Sequence, residues 1–347
     1  ILGPFVASAE PATEAALIRV DFGTGMLHWS SQAAEPAIAR VRAALQALSA
    51  KAHDPGLDGR TIARGHLVLA LAYRAQNDRA AAAAAIDQML TFARAWAARD
   101  GSAEARYWVA IAHEEGAQQA RALAGDPDLA LRSQTLARDL LRALSAEVPT
   151  NAAYRRELFY SSFVAGALAG GGPNDGLWSP TTGDLAAAEV AYREAMALAD
   201  QVAARDPNDV RARAEAAATR VAVGWVVLQR DSAAALTLLE PALAELAALP
   251  EDLRVANSAH DEWFARCATA VARARAGQRE QALVELTGAK AFVARYFPDG
   301  VETLQCQVFE AEVQAALGQT DAAAALLDQL VSALMVKAMT GLGLQQS

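Results

Sequence analysis

A two-residue polar turn followed by one helical signature recurs through most of this chain. Asn77-Asp78 precedes Ala82 and Ile86, Gly183-Asp184 precedes Ala188 and Tyr192, and Arg230-Asp231 precedes Ala235 and Leu239. Gly277-Gln278 then precedes Ala282 and Leu286, and Gly318-Gln319 precedes Ala323 and Leu327, while Gly125-Asp126 with Ala130 is a less complete copy. The alanine and the bulky residue stand four positions apart, so they share one helix face. A glycine or asparagine ends the preceding helix in left-handed backbone, and an aspartate after it caps the helix that follows. The turns begin at 77, 125, 183, 230, 277 and 318, a spacing of about 47 residues that holds two helices per unit.

Each turn has a helix upstream of it, as in Arg64 to Ala75, where Leu67, Ala70, Leu71 and Tyr73 recur at helical spacing. The units close on Asp54-Pro55, Val148-Pro149, Asp206-Pro207, Leu249-Pro250 and Phe297-Pro298, because proline is tolerated in the first turn of a helix and cannot continue the previous one. The chain is 53% hydrophobic but only 6% aromatic, and about a quarter of it is alanine, a strong helix former that lets helices approach closely. A β-sandwich or barrel, which needs alternating β-branched and aromatic residues, is excluded on these grounds. The expected fold is all-α.

Ala70, Tyr73, Asn77, Ala82 and Ile86 resemble the tetratricopeptide repeat (TPR), as do Gly183, Ala188, Tyr192 and Ala195. The usual repeat is 34 residues, and the longer unit here implies helices extended by up to two turns each. Repeats whose second helix closes on Asp206-Pro207-Asn208 are similar to the long TPR regions attached to some bacterial serine/threonine protein kinases. The resemblance implies a right-handed α-solenoid, a TPR-like superhelix of six or seven antiparallel helical hairpins over residues 33–340. An N-terminal extension over 1–32 and a tail over 341–347 lie outside it, and a long loop over 170–184 interrupts it. Within the extension, residues 17–30 read as a short hairpin around Gly23-Thr24-Gly25.

A formal net charge of -9 gives no basic field for DNA or RNA. Cys267 and Cys306 read as small buried hydrophobes, able to pair only if the fold brings their Cα atoms within about 7 Å. No window has the run of apolar residues a membrane helix needs. Ile1 to Ala9 reads either as the tail of a signal peptide or anchor, or as an apolar stretch at a chain boundary. The side of the membrane on which a bacterial chain of this kind works depends on what stands before Ile1.

No catalytic constellation emerges, and no cofactor or metal is expected. Asp21-Phe22-Gly23 matches a kinase triplet, but only 20 residues precede it, too few for the glycine-rich loop, strand lysine and His-Arg-Asp loop a kinase requires. His113-Glu114-Glu115 begins like a zinc-protease helix, yet Ala117 stands where the second histidine belongs. The three side chains of His260-Asp261-Glu262 point in different directions on a helix. Surface or capping roles are expected for both clusters.

The TPR resemblance implies that the first helix of each hairpin lines a concave groove. It places Arg64, Leu67, Leu71 and Arg74 there, then Glu115 and Gln119, Arg220, Phe264 and Arg275, and Gln305 and Glu312. Arginines, amides and apolar side chains in this mixture suit an extended peptide or a helix. The lysines that grip a chaperone's terminal carboxylate in some TPR proteins are missing from these positions. Trp178, in the glycine-rich loop, reads as an anchor for a partner or as a ring packed back on its own hairpin. The expected function is a protein- or peptide-binding scaffold or sensory module without catalysis. A small-molecule sensor and a carbohydrate-processing α/α toroid are the alternatives.

Overall fold

The computed structural model describes residues 31–50, 59–121, 125–173, 180–251, 258–298 and 300–341. Trp178, the 1–30 segment with Asp21-Phe22-Gly23 and the proposed short hairpin, the Asp54-Pro55 signal and the 342–347 tail lie outside the described residues. Among the described residues the chain is helical and contains no strand. The helices are α1 (Ser31–Ala50), α2 (Gly59–Ala75), α3 (Arg79–Asp100), α4 (Ala103–Gln119), α5 (Pro127–Glu147), α6 (Ala152–Gly170) and α7 (Leu185–Arg205). They continue with α8 (Val210–Leu228), α9 (Ser232–Ala247), α10 (Ala259–Arg275), α11 (Arg279–Tyr296), α12 (Glu302–Ala316) and α13 (Thr320–Gly341). None of them is long and apolar enough to cross a membrane.

The turns form for the reasons the sequence supplies. Asn77 adopts φ 58°, and Gly125, Gly183, Gly277 and Gly318 adopt φ between 61° and 79°. Asp78, Asp126, Asp184 and Asp231 each accept a hydrogen bond at 2.8 to 3.0 Å from the amide three residues on, capping α3, α5, α7 and α9. Arg230 departs from the expectation of left-handed backbone, since Asn77 is the one described non-glycine with positive φ; there the turn closes through hydrogen bonds from Arg230 N and Asp231 N to Val227 O. Four helices stop where the proline signals stand, at Glu147, Arg205, Ala247 and Tyr296.

The packing order is that of tandem helical hairpins. The helices of α2/α3, α4/α5, α8/α9, α10/α11 and α12/α13 pack together, and second helices also pack on the next first helix, α3 on α4, α7 on α8, α9 on α10 and α11 on α12. Successive first helices touch as well, α2 with α4, α8 with α10 and α10 with α12. In the α6/α7 hairpin, Phe163 and Tyr192 meet edge to face at 5.2 Å. The recurring alanines sit at these crossings: Ala82, Ala130, Ala188, Ala235 and Ala282 are 0% exposed. A glycine on the first helix receives the bulky partner in two hairpins. A Cβ on Gly166 would stand 2.7 Å from the Tyr192 ring, and one on Gly224 2.7 Å from Leu239, so only glycine permits the approach.

The chain divides into two compact units, residues 1–161 and 162–347, and the division falls inside α6. In the first, Ile38, Val41, Leu45 and Leu48 of α1 join Ile62, Leu69 and Tyr73 of α2 and Ile86 of α3 in one core cluster, and Met89, Trp96, Trp108 and Ile111 build a second. In the second, Trp263 and Phe264 of α10 pack on Phe309 of α12 with centroids 6.2 and 5.4 Å apart. Leu327 is the exception to the bulky-residue rule. It is 41% exposed where Tyr192 and Leu239 are fully buried, since the other second helices have a following hairpin to cover this face and α13 has none among the described residues.

Candidate functional site

The first helices of the initial unit carry a half-buried polar cluster. On α4, Tyr107 and Glu114 stand two turns apart and share a face. The Tyr107 hydroxyl lies 3.5 Å from Glu157 Oε1 on α6, and its ring packs on Tyr154 with centroids 5.3 Å apart. Gln134, buried on α5, donates from Nε2 to the Ser161 carbonyl at 3.2 Å and to the Ser161 hydroxyl at 2.8 Å. That fixes the amide orientation and leaves Gln134 Oε1 without a partner among the described residues, as is Glu114 Oε1.

Burial sets the protonation of this cluster. It pushes the Glu114 carboxyl up to about 8, with the Glu157 charge adding to the effect and hydrogen bonding with the Ser161 and Gln134 side chains opposing it. Burial likewise raises Glu157, against its hydrogen bond from Tyr107, and raises the Tyr107 phenol. At neutral pH Glu114 therefore holds a proton and can donate one hydrogen bond, while Gln134 Oε1 can accept one. The result is a surface of mixed donors and acceptors, with no activated nucleophile. Beside it, Arg94 lies 3.3 Å from His113 Nε2, and burial together with the Arg94 charge lowers the His113 pKa.

The groove positions inferred from the TPR resemblance separate into three sets. Arg74 and Glu115 come together as an ion pair between α2 and α4, and Arg74 also donates to the Glu115 carbonyl at 3.3 Å. Arg275 and Glu312 form the corresponding pair between α10 and α12 at 3.2 Å; Arg275 also donates to the Leu228 carbonyl at 3.1 Å, and burial raises the Glu312 carboxyl against the pull of Arg275. Arg64 and Leu71 are half-buried on α2, Gln119 donates to the Arg79 carbonyl at 2.9 Å, and Arg220 reaches back to Asp200 on α7 at 2.5 Å. Leu67, Phe264 and Gln305 are 8%, 0% and 3% exposed. These three are core: Leu67 sits in the cluster with Trp96 and Trp108, and Phe264 packs edge to face on both the Trp225 and Phe309 rings. The longer helices turn these positions into the interface between neighbouring helices.

The two histidine-acid runs are also more buried than a surface or capping role allows. His113 is 9% exposed, Asp261 7% and Glu262 1%. Burial pushes the Asp261 carboxyl up to about 7, and Arg266 bridges Glu262 at 2.7 Å and Glu285 of α11 at 3.1 Å. The cluster of Glu114, Glu157 and Gln134 left one sequence signal. Gln134 occupies the place, four residues after Ala130, that Ile86, Tyr192, Leu239 and Leu286 hold in other units.

Two clefts stand apart from this cluster among the described residues. One of about 510 Å³ in the second unit is lined by Leu185, Glu189, Val190, Arg193, Val226 and Arg230. Another of about 300 Å³ in the first is lined by residues of α1, α2 and α3 that include Arg42, His66, Tyr73 and Gln88. Among the described residues no group of three or more His, Cys, Asp or Glu could hold a metal ion.

No protein-family model matches the chain, and no curated protein matches it. Solved structures similar to it include the apo form of RapI, at 10% identity and a TM-score of 0.49, with 94% of this chain and 75% of that one covered. A Rap protein complexed with competence and sporulation factor is also similar, at 10% identity and a TM-score of 0.47, covering 91% of this chain and 76% of that one.

Proposed function

We propose that this chain is a peptide- or protein-binding module that recognises its partner through the first helices of its hairpins and performs no catalysis of its own. The observation that carries this reading is the cluster on α4, α5 and α6. Two acceptor oxygens, Glu114 Oε1 and Gln134 Oε1, are buried there without a partner among the described residues, in the cluster that the half-buried Tyr107 and Glu157 side chains border. An unsatisfied buried acceptor costs about 1 to 3 kcal/mol, and a ligand that supplies donors recovers that cost on binding. A peptide backbone presents such donors at regular intervals, while Arg74, Glu115 and Leu71 offer charged and apolar contacts on the neighbouring helices. The groove set then reduces to the positions that solvent reaches: Arg64, Leu71, Arg74, Glu115 and Gln119 in the first unit, and Arg220, Arg275 and Glu312 in the second.

A small-molecule sensor is the second reading, favoured by the 300 Å³ cleft. There the Arg42 guanidinium lies 5.3 Å from the Tyr73 ring centre, and burial lowers the His66 pKa to about 4. The likeness of residues 150–250 to kinase-attached repeats favours a place in a larger signalling polypeptide.

The test is an array of immobilised 15-residue peptides probed with the chain and with a variant carrying Glu114→Leu, Gln134→Leu and Arg74→Ala. A family of related peptides bound by the chain and weakened at least tenfold in the variant supports the reading. Binding with no sequence preference, or binding that the variant retains, overturns it.

A further inference from the structure

The two cysteines, 39 positions apart in the sequence, meet in the fold. Cys267 on α10 and Cys306 on α12 are both free thiols, 0% and 4% exposed. The packing of the two helices fixes why they meet. Contacts between the two helices advance in step, from His260–Glu302 at 3.9 Å near their starts to Arg275–Glu312 at 3.2 Å near their ends, and Cys267 and Cys306 stand level between them, on the faces that carry the Trp263, Phe264 and Phe309 rings. The two thiols are hydrogen-bonded side chain to side chain. We propose that Cys267 and Cys306 form a reversible intramolecular disulfide, by exchange with a small-molecule disulfide, that ties together the first helices of the last two hairpins.

The chemistry assigns the two sulfurs different parts. Cys306 accepts the hydrogen bond from Cys267, which lowers its pKa, while burial raises that of Cys267. Cys306 is therefore the thiolate that attacks. Its electron pair forms a bond to one sulfur of the small disulfide RS–SR, the S–S bond breaks, and RS⁻ leaves with the bonding pair and takes a proton as RSH. Cys267 then loses its proton and attacks the Cys306 sulfur of the mixed disulfide, expelling the second RS⁻. Two protein thiols are oxidised by two electrons in total, and one RS–SR is reduced to two RSH. Because Cys306 is almost fully covered, the first attack requires the α12/α13 hairpin to open locally, so exchange is slow under native conditions and quickens in mild denaturant. The Arg275–Glu312 ion pair spans the same two helices, so the disulfide holds a portion of the first-helix layer in one arrangement. This inference stands apart from the peptide-binding reading and survives its failure.

The test uses the whole chain, reduced and desalted, then incubated with oxidised glutathione in about 1 M urea, quenched with an alkylating agent and read by intact-mass and peptide mass spectrometry. The expected product is a monomer about 2 Da lighter than the reduced chain, unalkylated, with one cross-linked peptide pair joining Cys267 to Cys306. Its melting temperature should rise by roughly 5 °C, and dithiothreitol should reverse both changes. Cys267→Ser should stop at a glutathione adduct on Cys306. A stable adduct on the wild-type chain, a disulfide between two molecules, or two thiols still free after the oxidant has reached them overturns the proposal. The wild-type mass map decides it even if the serine variant fails to fold.

Discussion

At the scale of single residues, Glu114 has the most to say about pH. Its folded carboxyl titrates near 8 because of burial and the Glu157 charge, whereas in the unfolded chain it titrates near 4.5. Between those values the folded chain holds a proton that the unfolded chain has lost, so stability falls as pH rises, by up to about 1.4 kcal/mol per pH unit. The loss levels off above the folded value. Glu114→Gln keeps a neutral side chain that can donate, as the protonated acid does, and removes this slope. Thermal melts should therefore show the variant close to wild type near pH 4.5 and more stable by several degrees at pH 8; a constant difference across that range would refute a buried, neutral Glu114. Neither Glu114 nor Glu157 announces this role in the sequence. What perturbs Glu114 is burial in the packed helices and the Glu157 charge on α6, and only the polar Gln134 at an otherwise apolar repeat position hints at the cluster.

Among the elements, the helix crossings were the most legible part of the molecule, because a small residue at a fixed distance from a capped turn has one physical use. Ala188 is fully buried, and its Cβ sits 2.7 Å from where a Cβ on Gly170 would stand. Ala188→Leu should cost roughly 1 to 3 kcal/mol through overpacking, and Ala282→Leu a similar amount, whereas Ala186→Leu on the exposed side of α7 should stay within about 0.5 kcal/mol. Urea denaturation of the three variants checks the contrast, and equal effects would refute the crossing assignment. The groove positions were less legible. A 34-residue frame fixes which residue of a first helix faces outward, but helices of 15 to 22 residues change how far neighbours overlap. Leu67 and Phe264 consequently fall between helices, not on an open face. The caps survive this lengthening because they depend only on local backbone.

For the molecule as a whole, the recurring turns were visible from the sequence, but the division into two units was not, since the turn pattern resumes at Gly183 after the 170–184 loop and the boundary lies not in that loop but within a helix. Protection should follow burial within the second unit. Nearly every residue of α10 from Ala259 to Ala274, and of α8 from Ala216 to Leu228, is buried, whereas α13 exposes Leu327, Val331 and Met335. Hydrogen exchange read by mass spectrometry should find amides of α8 and α10 at least about 100-fold slower than those of α13; uniform protection would contradict a nearest-neighbour array. The contacts that build each unit join helices adjacent or next but one along the chain, and that order bears on biosynthesis. A nascent chain can close each hairpin soon after its second helix leaves the ribosome, with no need to wait for a distant partner. Little apolar surface then stays uncovered during synthesis, and the demand on chaperones is correspondingly small.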